Sequence, residues 1–224
     1  MTKVVAYYSK WAVVDNRQAD LSFLAASQKK RLTPTISMAL EVAYNCTRNH
    51  QENVRSVFCT RYGEYECTFK MLETLINSFF ISPASFSMST HNVPSGVIAI
   101  NTNNKASSTT ISSLGSTLEH GFLEAAMLVR QYLEPVLFIY IDIPLPDTYG
   151  AHFKGVEEPI ALGILLMPDG ENTLSLSWQG KNTFTPPPLG LPSSIRKLHD
   201  LLQAPSICGF SLDDGRLNWS WQNK

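Results

Sequence analysis

Apolar positions return along this chain with two different periods, and the changes of period mark out its elements. Lys3 to Ser9 (KVVAYYS) is suited to a first strand. From Thr33, the residues Ile36, Leu40 and Ala43 fall on one helical face, with Thr33 fit to cap the helix and Pro34 fit for its first position. Val54 to Thr60 (VRSVFCT) reads as a mostly apolar strand. It leads through Arg61 to Glu66 into a second helix, in which Phe69, Leu72, Leu75, Ile76 and Phe79 recur at spacings of three and four. Ser82-Pro83 ends that helix. Val97 to Ile100 fits either a helix or an extended segment, and Gly96 suits close backbone packing.

Further on, Ser108 to Ser112 (STTIS) is a strand candidate. Leu118, Phe122, Ala125, Ala126 and Val129 then trace a helix whose small residues allow close approach to a sheet. Pro135 to Pro144 (PVLFIYIDIP) is apolar at nearly every position, as a strand covered on both faces reads. Ile160 to Trp178 gives two strands joined at Pro168-Asp169-Gly170, the second alternating at Leu174, Leu176 and Trp178. Prolines cluster over 181–192, which argues against regular structure there. Beyond them come a short helix (IRKLHDLLQ) and a hairpin about Asp214-Gly215, a tail over 193–224 too small to fold alone. The order of elements implies one layered α/β domain over 1–224 with a mostly parallel central sheet flanked by helices, plus the helix-hairpin tail.

Composition narrows the function. The chain has 224 residues and a formal net charge of -1. It is long enough to bury about 70 % of its unfolded surface, and it lacks a basic footprint for nucleic acid or anionic membrane. Its apolar runs are well short of the roughly 20 residues of a membrane span, and the start has no signal-peptide core, so a cytoplasmic location is expected. The four cysteines, Cys46, Cys59, Cys67 and Cys208, lack paired spacing and read as reduced, buried thiols. With no metal-ligand spacing, no clustered ligands and no phosphate-binding loop, no metal and no cofactor are expected. Glu64 and Glu66 read as residues that open the second helix, and Asp213 and Asp214 as residues of a hairpin turn.

The stretch with chemical interest is Thr109 to Ala126, a strand passing through a turn at Gly115 into a helix. Enzymes mount nucleophiles on such turns because free N–H groups at the helix start stabilise a thiolate or an oxyanion. Ser112, Ser113, Ser116 and Thr117 surround Gly115. Ser116 and Thr117 fit an N-cap role, and LGSTL does not satisfy the G-x-S-x-G elbow. The five histidines, His50, His91, His120, His152 and His199, are scattered, with His120 nearest to a base for Ser116.

Four stretches, KKRLTPTISMALEVA, GEYECTFKMLETL, ISPASFSMSTHNVPSG and SSLGSTLEHGFLEAA, together resemble the N-terminal half of β-ketoacyl synthases of the thiolase superfamily. PIALGILLMPDG extends the likeness to about residue 180. More narrowly, the chain resembles short proteins of the chain length factor kind. The resemblance implies a thiolase-like fold over 1–180 and places the condensing cysteine of an active relative at Gly115. The two histidines that active relatives take from their C-terminal half have no counterpart here. It further implies a chain that does not catalyse condensation by itself. Such a chain would pair with a catalytic ketosynthase subunit as a heterodimer, receive chains carried by an acyl carrier protein, and help bound the acyl tunnel, with aryl polyene biosynthesis as the pathway suggested. Expected turn or tunnel neighbours are His91, Asn92, Ser113, Leu114, Gly115, Ser116 and Phe122. The expected interface strand is Ser107, Ser108, Thr109, Thr110, Ile111 and Ser112. Two other functions fit the residues: an acyl hydrolase or transferase with its nucleophile moved to Ser116 or a neighbour, and a module that only docks an acyl carrier protein.

Overall fold

A computed structural model describes residues 1–15, 18–30, 32–50, 53–146, 158–183, 194–204 and 209–224. His152, Cys208 and the proline-rich stretch from residue 184 to 192 fall outside the described residues. Among the described residues, eight strands form one sheet: β1 (Thr2–Asp15), β2 (Arg55–Thr60), β3 (Ser108–Ile111), β4 (Val136–Asp142), β5 (Ile160–Met167), β6 (Thr173–Gly180), β7 (Gly209–Asp213) and β8 (Leu217–Asn223). The helices are α1 (Ala26–Lys29), α2 (Pro34–Thr47), α3 (Tyr65–Ser78), α4 (Pro83–Ser87), α5 (Val93–Asn101), α6 (Thr117–Tyr132) and α7 (Ile195–Gln203), with a 3-10 turn at Leu114–Ser116.

Strand order is β3-β2-β4-β5-β1-β6-β8-β7. Only β2 with β3 and β2 with β4 are parallel, and the other pairings are antiparallel. The layered α/β domain is as expected, but the mostly parallel sheet is in fact mixed. A strand buried on both faces is apolar throughout whichever way its neighbour runs, so β4 and β5 look alike in sequence. The expected hairpin of β5 with β6 is also corrected, because β1 lies between them and pairs with both. The tail extends this same sheet through β8, which pairs with β6.

Strand β1 is twice the expected length. A register shift between Tyr8 and Lys10 inserts one residue, which moves the following side chains to the opposite face. Val4, Ala6 and Tyr8 therefore join the same core as Trp11 and Val13.

The sheet is the middle of three layers. On one face α6 and α7 pack over Val57, Cys59, Phe138, Leu162 and Ile164; on the other α2 and α5 cover Phe58, Ile139, Ile141 and Leu165. Thr33 caps α2 through its hydroxyl, which accepts the Ile36 N–H, and Pro34 follows as the pattern predicts. Gly121 lets α6 lie close to β2, since a Cβ there would be 2.1 Å from Cys59 Sγ. Gly96, by contrast, faces open space, so close packing is not its role.

Helix α3 forms as expected, but its apolar stripe does not face the core. None of its residues is buried, and Leu72, Leu75, Ile76 and Phe79 are exposed. Their spacing puts them on one face.

Candidate functional site

The parallel strands β2, β3 and β4 end beside one another at Thr60, Ile111 and Asp142, the end of an α/β sheet where connecting loops gather functional groups. Arg61, just past β2, forms an ion pair with Asp142 at the end of β4, and both side chains are almost wholly buried. Burial opposes the Arg61 charge, but Asp142 more than offsets this and raises the guanidinium pKa. The Tyr140 hydroxyl donates to Asp142 at 3.3 Å. The Arg61 carbonyl accepts the Ser112 hydroxyl at 2.9 Å, tying the end of β3 to this pair.

Beyond Ser112 the chain turns sharply into α6, and Thr117 holds the turn from both sides. Its hydroxyl accepts the Ser113 N–H and donates to the Leu114 carbonyl, each at 2.8 Å. Thr117 is fully buried, so Thr117→Val would leave both partners short of a bond. Urea unfolding should show a loss of about 1–3 kcal/mol; a change within experimental error would mean that the turn is held otherwise.

Ser116 occupies the N-cap position of α6, but its side chain makes no capping bond. Its hydroxyl instead donates to Asp214 Oδ2 at 2.6 Å, and Trp219 Nε1 donates to the same oxygen at 2.8 Å. Burial pushes the Asp214 pKa up, but these bonds and the Leu217 and Arg216 N–H groups outweigh it and hold the carboxyl below its ordinary value. His120 does not reach the Ser116 hydroxyl: its Nδ1 lies 2.9 Å from the Ser116 carbonyl, and its ring meets Trp219 edge-on. Ser116 thus fastens the tail hairpin to the turn through the Asp214 carboxylate, and His120 is turned to the Ser116 carbonyl instead.

A second carboxylate, Glu119, is buried in the first turn of α6. Burial raises its pKa, against hydrogen bonds from Ser194 at 2.8 Å and Trp221 Nε1 at 3.3 Å. Both tail tryptophans of β8 therefore donate to acids beside the start of α6.

The remaining expected site residues are placed as follows. His91 is exposed, and its ring lies over Gly63, where a Cβ would come within 2.8 Å of it. Gly63 also has φ +61, so glycine is required there twice over. Asn92 is the residue before α5, and its carbonyl accepts from Gly96 N–H and Ser95 Oγ. Phe122 is fully buried and packs against Phe138 and Trp221 in the core. Gly115 is exposed but is not among the residues with positive φ; the left-handed residue of the turn is Leu114. Strand β3 is the outermost strand of its sheet edge.

Sequence reasoning missed Glu64 as more than a helix opener. Its carboxylate accepts from Thr33 Oγ1 at 3.1 Å and from the Cys67 thiol at 3.8 Å, and burial pushes its pKa up to about 7 despite these bonds. Thr33 and Cys67 also line a cavity of about 700 Å3 between α3 and α4, with Met71, Phe80, Ile81 and Met88. Cys46 and Cys59 are buried thiols, as read from the sequence, while Cys67 is half-buried. Burial pushes the Cys46 thiol up to about 12. Among the described residues no group of three or more His, Cys, Asp or Glu is placed to hold a metal ion. No helix among them is long and apolar enough to cross a membrane.

A family model described as the β-ketoacyl synthase N-terminal domain matches residues 6–222. No curated protein sequence matches the chain. Among solved structures, the fold is similar to that of a ketosynthase (ApeO) in complex with its chain length factor (ApeC) from Xenorhabdus doucetiae. That match has a TM-score of 0.78 at 22% identity and covers 98% of this chain and 99% of that one. The ishigamide ketosynthase/chain length factor matches at a TM-score of 0.57 and 13% identity, over 81% of this chain and 68% of that one. A β-ketoacyl synthase from Burkholderia phymatum matches at 0.56 and 10% identity, over 73% and 52%.

Proposed function

The chain belongs to the family of β-ketoacyl synthase N-terminal domains, and from that premise we propose that it is a noncatalytic subunit of the chain length factor kind. It pairs with a catalytic ketosynthase and shapes the tunnel that receives the growing acyl chain. The observation that carries this reading is the turn from β3 into α6. The strand, the corner and the helix of a nucleophile mount are all kept, yet the turn residues from Ser112 to Thr117 include no cysteine. The hydroxyl of Ser116 is committed to Asp214 instead.

Two surfaces support pairing. Among the described residues, strand β3 ends its sheet with one ladder of backbone groups unmatched by another strand, which is an invitation to strand addition. The exposed stripe of α3 and the neighbouring Phe80 and Phe86 form apolar surface of a kind that soluble chains keep for partners. The cavity between α3 and α4 would give the tunnel an apolar wall. An acyl carrier protein would deliver the chain, and an aryl polyene is the product class suggested.

Co-expression with a catalytic ketosynthase from the same source should yield a stable 1:1 complex on size-exclusion chromatography with light scattering. A chain that remains monomeric next to that ketosynthase would sink the reading. Incubated alone with acyl thioesters, the chain should show neither a covalent adduct nor condensation product by mass spectrometry.

A further inference from the structure

The backbone of the turn carries information that its sequence hides. Among the described residues, four other than glycine have left-handed φ: Phe79, Asn103, Leu114 and Leu133. Phe79 and Leu133 close α3 and α6, and their N–H groups reach back to the Leu75 and Val129 carbonyls, so helix capping accounts for both. Asparagine tolerates this region through its short polar side chain. Leu114, at φ +47, has neither reason. It opens the corner between β3 and α6, held there by the two bonds of Thr117.

A strained residue on a strand-to-helix turn, at the carboxyl end of parallel strands, is how such mounts thrust a reactive side chain outward. Here the side chain is aliphatic and 73% exposed. Glycine would relieve the backbone, and burying the isobutyl group elsewhere would remove it from water; the chain does neither. Leu114 also lies three residues past Ile111, the last residue of the open edge strand. A subunit paired along β3 would bring its own surface over the corner.

We infer that Leu114, not Gly115, stands where an active condensing enzyme of this fold carries its reactive side chain, and that it serves as an apolar anchor for the ketosynthase subunit. This rests on the pairing reading above. The test is Leu114→Gly and Leu114→Asn, two residues that accept left-handed φ. Each variant is titrated calorimetrically against the purified ketosynthase and followed by thermal unfolding alone. The expected result is a melting temperature equal to or above that of the unaltered chain, with affinity for the ketosynthase weakened about tenfold or more, as for loss of one buried leucine. Unchanged affinity overturns the anchor. So does a lowered melting temperature in both variants, since it would show the side chain packed within its own chain. If the unaltered chain fails to bind the ketosynthase, the pairing reading itself falls; if it binds and both variants bind equally well, only the role of Leu114 falls.

Discussion

Replacing Arg61 by methionine should lower the stability of the chain by about 3–5 kcal/mol, because Asp142 would be left as a buried charge without its cation. For a domain of this size the melting temperature should drop by roughly 6–20 °C. Asp142→Asn should be costly for the mirror-image reason. The double variant Arg61→Met/Asp142→Leu should recover much of the loss, since removing both charges also removes the need to desolvate them. Urea denaturation of the three variants checks this, and a single-variant loss below about 1 kcal/mol would mean that water reaches the pair. The effect should extend beyond stability. Ser112 donates to the Arg61 carbonyl, so the ion pair also fixes where β3 ends and the turn begins. Association with a ketosynthase partner should weaken in Arg61→Met even at temperatures where the variant is fully folded.

How much of this was legible in the sequence depends on the range of the interaction. Helix α2 and helix α6 follow directly from periodicity and capping, since Thr33, Pro34 and the stripe from Leu118 to Val129 act within a few residues of one another. Strand β4 is equally plain, because every position in it is buried. The second half of β1 was hidden, because the bulge after Tyr8 reverses the alternation and reads as the end of a strand. The face of α3 was visible but its surroundings were not: a stripe shows where apolar side chains gather and is silent on what covers them. The candidate site was the least legible part. Its contacts join Arg61 to Asp142, Glu119 to Ser194 and Ser116 to Asp214, the last pair 98 residues apart. At the turn, glycine is the residue that propensity assigns to a corner, yet the left-handed residue is Leu114, in a turn whose hydrogen bonds to Thr117 are local but depend on a hydroxyl's direction that periodicity does not show.

The second large effect concerns pH. Glu64 takes up its proton at about 7 in the folded chain, against an ordinary value of 4.5. Between those two values the folded state holds a proton that the unfolded state has released, so this group's contribution is fully present below pH 4.5 and is lost as pH rises through 7. The shift corresponds to about 3 kcal/mol of stability lost between pH 4.5 and pH 8. Buried Glu119, whose pKa is also raised, acts in the same direction, whereas Asp214, held below its ordinary 3.8, has finished titrating before this window opens. Glu64→Gln keeps an acceptor for Thr33 but cannot ionise. Compared by urea denaturation at pH 5 and pH 8, it should gain about 2.5 kcal/mol on the unaltered chain across that interval, and parallel pH profiles for the two proteins would refute the assignment. Thr33 and Cys67, the hydrogen-bond partners of Glu64, are also walls of the cavity between α3 and α4. Protonation of Glu64 removes a charge bonded to two of those wall residues, so mildly acidic conditions should favour the fold.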